Sequence, residues 1–171
     1  SKANLQKANL RKAYLVKAKL DGADLTHANL SYAVLNRGSL IGVTAYRTSF
    51  AHASLTFANL YTADLRESNF DYASGAMANF YSANLARSWF FRSNFMSANF
   101  TSANLYDARF RRANLSEALL RSANLTSATV VGSNLTKAEL TSANLDDANL
   151  AGTDMEDAKF TADSIREAYK K

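Results

Sequence analysis

The sequence contains no cysteine and no proline in 171 residues, and it has only six glycines. Without cysteine, the chain cannot form a disulfide, a thiolate metal site or a cysteine nucleophile. No apolar run approaches the roughly 18 residues of a membrane-spanning helix. The first ten residues also lack the apolar segment of a signal peptide, so we expect no membrane insertion and favour a cytoplasmic location. The chain begins at Ser1 rather than methionine, which is consistent with a missing N-terminal segment.

The charge is modest, positive and unevenly spread. There are 20 Lys and Arg against 15 Asp and Glu, for a formal net charge of +5. This excess disfavours an acidic mimic of DNA, but it does not by itself establish nucleic-acid binding. The first 20 residues carry basic side chains and no acid, whereas residues 139–163 carry seven acids and one Lys. The opposite charges at the two ends make an end-to-end homodimer one hypothesis.

A five-residue period runs through almost the whole chain. A large apolar residue, here called the centre, occupies nearly every fifth position from Leu5 to Phe160. Of these 32 centres, 20 are Leu and eight are Phe. The residue two positions before the centre is Ala in 24 units, and Asn or Asp dominates the position between them. Repetition at a short fixed period is typical of solenoids.

Neither a helix nor a straight strand suits this period. Five residues of helix turn through about 140°, which would scatter the centres around every side. In a straight strand the next small residue, three positions after a centre, would point away from that centre. A bend in every unit places the small residue and the centre inside and the other three residues outside. The sequence therefore predicts a solenoid.

The units resemble those of the pentapeptide repeat family. The resemblance rests on triplets such as Ala23-Asp24-Leu25, Ala63-Asp64-Leu65 and Ala143-Asn144-Leu145, and it covers residues 1–160. It implies a right-handed quadrilateral β-helix with four units in each coil of 20 residues. Eight coils at about 4.8 Å each predict a rod about 40 Å long.

The pattern stops near the C-terminus and weakens at two internal centres, Gly75 and Ala45, the latter with Phe50 next to it. Residues 161–171 depart from the repeat, and Ser164 with Glu167 fits a capping box, so we expect a short helical cap there. Gly75 replaces a large centre below Phe95 and would leave a hole in the core. We expect enlarged neighbours, the adjacent centres Phe70 and Phe80, to fill that hole; the alternative is a functional pocket.

Stacking at 20 residues also predicts columns on the outer surface. Arg47, Glu67, Arg87 and Asp107 would form one column of alternating sign, which favours pairing between neighbours. A second region brings together large aromatic and basic side chains, with Arg109 next to Trp89, Arg111 next to Phe91, and Arg112 next to Arg92. Tyr72 lies below Arg92. We name this set the Arg/aromatic surface: Tyr72, Trp89, Phe91, Arg92, Arg109, Arg111 and Arg112.

The Arg/aromatic surface has two interpretations. Stacking of Arg on aromatic rings could simply cover the side of the rod. Alternatively, it binds a partner, because Trp, Tyr and Arg dominate interaction hot spots. We predict the second, with an unidentified protein as the partner.

No set of residues indicates catalysis, a metal site or a cofactor site. His27 and His52 fall in different columns, and the plentiful Ser and Asp are explained by the repeat. We therefore predict a non-catalytic scaffold or interaction module without a cofactor. Two alternatives remain: a DNA-mimicking topoisomerase-binding protein, as in one branch of the family, and a nucleic-acid-binding protein that uses the basic face.

Overall fold

The chain winds into a β-helix in which each residue lies next to the residue 20 positions later. The computed structural model describes residues 3–161 and residue 168. Parallel bridges recur every five residues, from Asn4↔Asp24 to Asn134↔Asp154. Two longer strands, β1 (Glu139–Leu140) and β2 (Lys159–Phe160), pair in parallel in the same register. Four units therefore make one coil with four faces, as predicted.

Backbone hydrogen bonds join the coils and also close the corners. The N–H of Leu25 donates to the carbonyl of Thr44 in the next coil at 2.7 Å, and the N–H of Asp24 donates to Ala3 in the previous coil at 2.9 Å. Within the same coil, the N–H of Ala28 donates to the carbonyl of Leu25, the centre of the preceding unit, at 2.8 Å. This last bond closes a four-residue turn, which supplies the bend in every unit.

The third residue of each turn has a left-handed backbone conformation. Its φ is positive at every fifth position from Lys7 to Asp157, and glycine occupies that position only at 22, 42, 132 and 152. A β-turn with positive φ at its third residue has type II geometry. This conformation costs a non-glycine residue about 1–2 kcal/mol. Bonds between coils oppose that cost; the N–H of Tyr32, for example, donates to Ala51 at 2.9 Å.

The core consists of centres stacked on centres. Every centre from position 25 to position 150 is buried, together with the small residues that precede them. The rings of Phe50, Phe70, Phe90 and Phe110 stack at centroid distances of 4.8, 4.9 and 4.5 Å. These contacts confirm that the small residue and the centre point inward.

The hole at Gly75 is filled differently from the prediction. The ring of Phe95, the next centre in the same column, occupies the space that a Cβ at position 75 would need. Phe70 and Phe80 instead meet Phe95 edge-on, with centroids 6.0 and 5.6 Å away. The expectation that Phe70 and Phe80 fill the hole is therefore wrong. Because Phe95 lies one coil away in the same column, its ring reaches this space, and the adjacent centres pack against the ring instead.

The asparagine before each centre stabilises the repeat in two ways. Its side-chain oxygen accepts a hydrogen bond from the N–H two residues later, as in Asn29 with Ser31 at 3.0 Å. Its amide can also bridge adjacent coils, as Asn79 does by donating to Asn59 at 3.0 Å. A short side chain with both a donor and an acceptor suits this position, which explains the preference for Asn.

The helical cap predicted over 161–171, beyond the predicted boundary at residue 160, falls almost wholly outside the described residues. The two exceptions are Thr161 and Ala168, and the side chain of Ala168 joins the buried apolar cluster. Residues 3–161 contain strands, bridges and turns but no helix.

We expect Gly75→Ala to destabilise the protein, because its Cβ would lie 2.6 Å from Cδ1 of Phe95. Overpacking of this kind costs about 1–3 kcal/mol. Phe95→Leu alone should also destabilise, since it removes the ring that fills the hole. The double variant should melt above either single variant, because Leu leaves room for the new methyl group. Thermal unfolding followed by circular dichroism checks this, and additive losses in the double variant would contradict it.

Candidate binding surface

Tertiary structure brings the predicted Arg/aromatic surface together along one face and its following corner. Trp89 lies between Asn69 and Arg109 in the same bridge column. The rings of Trp89 and Phe91 are half-buried against neighbouring side chains, whereas Tyr72 is 45% exposed. All four arginines of the surface are exposed. The surface is therefore basic at its outside and aromatic beneath.

A ladder of stacked rings leads into this surface along the corner. The ring of His52 lies between Tyr32 and Tyr72, with centroid distances of 4.5 and 4.8 Å and nearly parallel planes. The guanidinium carbon of Arg11 lies 4.8 Å from the centroid of Tyr32 and covers the first ring. The three rings occupy left-handed corner positions 20 residues apart, so the repeat itself sets their spacing.

The other end of the ladder differs from the simple column prediction. Phe91 meets Tyr72 edge-to-face at 5.4 Å, and the guanidinium of Arg92 lies 5.3 Å from the centroid of the Phe91 ring. The cation over Phe91 is therefore its sequence neighbour Arg92. Arg111 lies in the same column as Phe91, one coil later, but no cation–π contact joins them within the described part of the chain.

The acid nearest to the surface is already engaged with the backbone. The carboxylate of Asp71 accepts a hydrogen bond from the N–H of Phe91 at 2.7 Å. Among residues 3–161, no ion pair involves Arg109, Arg111 or Arg112. In the described part of the chain, these three exposed cations therefore have no carboxylate partner.

The neighbouring corner shows the opposite arrangement and confirms the predicted column of alternating sign. Nε of Arg47 lies 2.7 Å from a carboxylate oxygen of Glu67, and Nε of Arg87 lies 3.9 Å from Asp107. The hydrogen bond from Arg47 lowers the pKa of Glu67, and the paired carboxylate raises the pKa of Arg47. Cations on this corner are satisfied within the chain. By contrast, none of the arginines of the Arg/aromatic surface forms an ion pair among residues 3–161.

The described surface has shallow recesses. One recess of about 500 Å³ lies beside Trp89 and is lined also by Ser49, Asn69 and the Arg47–Glu67 pair. Its lining holds no histidine and no arrangement that would activate a nucleophile. Within residues 3–161 and 168, no cluster of His, Asp and Glu could hold a metal ion. The same residues include no helix of the length and apolarity that a membrane span requires.

Sequence reasoning missed a second notable surface on the opposite side of the solenoid. Phe57, Tyr61, Met77, Tyr81 and Met96 are each at least 36% exposed. They belong to residues 56–62, 76–82 and 96–102, which include no charged residue. A search of the stacked positions for segments without charged residues, as well as for aromatic and basic residues, would have found this surface.

Comparison with known proteins identifies the repeat. A model of pentapeptide repeats matches eight copies, over residues 3–40, 46–74, 78–117 and 118–157. Comparison with curated protein sequences gave no match.

Several solved structures are similar. One is HetL, a pentapeptide repeat protein involved in regulating heterocyst differentiation in the cyanobacterium Nostoc sp. strain PCC 7120. HetL is 28% identical to this chain, the match covers 92% of this chain and 87% of HetL, and the TM-score is 0.35. A trypsin-treated form of QnrB1, a plasmid-mediated fluoroquinolone resistance protein, is 19% identical, with 97% and 93% covered and a TM-score of 0.59. At that identity the likeness to QnrB1 concerns the fold alone. The matched repeats and the 20-residue register agree on the right-handed quadrilateral β-helix, and the chain belongs to the pentapeptide repeat family.

Proposed function

We propose that this protein is a non-catalytic interaction module that binds an acidic partner protein through the Arg/aromatic surface. The observation that carries the proposal is the group of Arg109, Arg111 and Arg112, which are exposed and have no carboxylate partner among residues 3–161. Arginine binds carboxylates through paired hydrogen bonds, and these bonds are strong because both groups are charged. An acidic partner would supply the missing carboxylates.

The aromatic residues under the arginines favour the same role. Half-buried Trp89 and Phe91 hold the surface rigid, so that little side-chain freedom is lost on binding. The Arg92 guanidinium is already positioned over Phe91. Trp, Tyr and Arg are also the residue types that contribute most to binding energy at protein interfaces.

The alternative of nucleic-acid binding gains less support from the same contacts. Proteins that bind single strands offer aromatic faces on which bases stack. Here, both faces of His52 are covered by tyrosine rings, and Arg92 covers the face of Phe91. The basic excess similarly argues against DNA mimicry, which requires an acidic rod. We therefore favour a protein partner over both alternatives.

Binding should be lost when the three unpaired arginines are replaced together. The variant Arg109→Thr, Arg111→Ala and Arg112→Ser uses residue types that the same kinds of position accept elsewhere in the repeat. We expect capture of partners from a lysate of the native organism to fall at least about tenfold. Quantitative mass spectrometry of the captured proteins would measure the change, after nuclease treatment to remove nucleic acid.

The matched control removes the same charge elsewhere. Lys7, Lys17 and Lys137 occupy corner positions outside the Arg/aromatic surface, and Ser is common at such positions. The variant with all three changed to Ser should capture partners as the wild type does. Equal capture by both triple variants would overturn the proposal. Fluorescence anisotropy showing tight, salt-sensitive binding of oligonucleotides by the wild type would favour the nucleic-acid alternative instead.

The stabilities of single variants should distinguish aromatic residues that support the fold from arginines that serve binding. We expect Phe91→Ala to lower stability by about 1 kcal/mol, because its ring contacts Tyr72 and Arg92. Arg111→Ala should leave the melting temperature nearly unchanged, since Arg111 is exposed and makes no ion pair among the described residues. A loss of stability in Arg111→Ala as large as in Phe91→Ala would show that the arginine is structural.

A further inference from the structure

On one side of the solenoid, three successive coils contribute no charged residue; Arg37 and Glu117 of the flanking coils contact only its two ends, at Phe57 and Ser97. We name it the uncharged face: residues 56–62, 76–82 and 96–102, in which there is no Asp, Glu, Lys, Arg or His. In a chain with 20% charged residues, an ordinary solvated surface of this size would carry several. The absence therefore calls for a physical explanation.

The uncharged face also exposes large apolar side chains along both of its edges. Phe57, Met77 and Met96 line one edge, with exposed fractions of 49, 50 and 36%. Tyr61 and Tyr81 line the other edge and stack on each other at 5.7 Å. None of these side chains fills the core, and apart from the Tyr pair and the Arg37 guanidinium 5.6 Å from the Phe57 ring, a large part of each remains exposed. Contiguous apolar exposure of this kind marks interaction surfaces.

Between the two edges lies a row of amides. The side-chain amide of Asn79 donates to Asn59 at 3.0 Å, and Asn99 follows one coil later. Amides and phenols both donate and accept hydrogen bonds. A surface built from such groups and from apolar edges can pair with an identical surface without bringing like charges together.

The charges on the opposite face indicate which molecule would pack on the uncharged face. The unit centred on Phe80 lies two units, or half a coil, from the unit centred on Phe90. The opposite face and its corners, residues 46–52, 66–72 and 86–92, carry four arginines and two acids. Two copies with a net charge of +5 each repel, and this repulsion is smallest when they approach through sides that contribute no charge.

We propose that the uncharged face is a self-association surface, on which a second copy of this chain packs side by side. Two copies related by a two-fold axis across the face would place Tyr61 and Tyr81 against their equivalents, and the Phe and Met edge against its own. Isologous contacts of this kind are the commonest in homodimers. The uncharged face spans only three coils, about 10–15 Å along the rod. Because this contact area is small, we expect the dimer to be weak.

The dimer has a consequence for binding that does not depend on the identity of any partner. Each uncharged face would be buried, and the two opposite faces would point outward in opposite directions. If the Arg/aromatic surface binds a partner, the dimer presents that surface twice. A partner with two binding segments would then gain avidity without any new contact.

Sedimentation velocity over a concentration series tests the proposal. We expect the wild type to shift from monomer to dimer between about 10 µM and about 1 mM, as suits a small interface. The variant Tyr61→Arg with Met77→Lys places two charges on the face, using residue types that other corners of this chain already accept. We expect its dissociation constant to rise at least about tenfold, because like charges would meet across the two-fold axis.

A matched control adds the same charge at another corner. The variant Tyr106→Arg with Ser127→Lys should dimerise as the wild type does. A wild type that stays monomeric throughout the series would overturn the proposal, as would a face variant that dimerises like the wild type. If the face variant fails to fold by circular dichroism, Tyr81→Arg alone takes its place, with the same expected loss.

Shape and salt dependence distinguish this dimer from an end-to-end one. Small-angle X-ray scattering of a side-by-side dimer should give a length near that of one rod, about 40 Å, whereas an end-to-end dimer would be about 80 Å long. Association through the uncharged face should hold or strengthen as salt rises. Association of the basic first coil with the acidic last coil should weaken instead. A doubled length with salt-sensitive association would overturn the side-by-side arrangement.

Discussion

The architecture depends on one backbone constraint, a left-handed residue at every fifth position. From Lys7 to Asp157 each turn places its third residue at positive φ, and this bends the chain by a quarter of a coil. Lys, Arg, Ser, Tyr and Met all occupy such positions, although the conformation disfavours a side chain. Hydrogen bonds from each corner to the next coil enforce the conformation regardless of residue type. The fold therefore places little restriction on which side chains occupy its corners.

This freedom separates the inside of the protein from its outside. The interior needs a large centre and a small residue in each unit, and stacked rings such as Phe70 on Phe90 hold neighbouring coils in register. The outside can then differ from face to face. One corner carries paired charges, exemplified by Arg47 and Glu67. Another surface carries exposed arginines beside half-buried rings, and a third has apolar edges in coils that contribute no charged residue.

Periodicity alone predicted which residues lie inside and which lie next to each other across coils. It predicted the charge column at Arg47 and Glu67 because those side chains meet straight across one coil spacing. It failed where a side chain contacts a different neighbour from the one expected. The ring of Phe95 occupies the space at Gly75, and Arg92 rather than Arg111 covers Phe91. Such choices depend on side-chain rotamers and on local crowding, and a repeat pattern contains neither.

Because of the 20-residue register, the neighbours of each surface residue follow from its position in the sequence. Trp89 adjoins Arg109 because 20 residues separate them along the chain. Insertion of a single five-residue unit between them would preserve every rule of the core, yet it would rotate all later residues by a quarter turn onto the next face. Insertion of four units would keep every column aligned and lengthen the rod by about 4.8 Å. Gain or loss of whole coils thus changes only length, whereas one added unit brings a different set of side chains into contact.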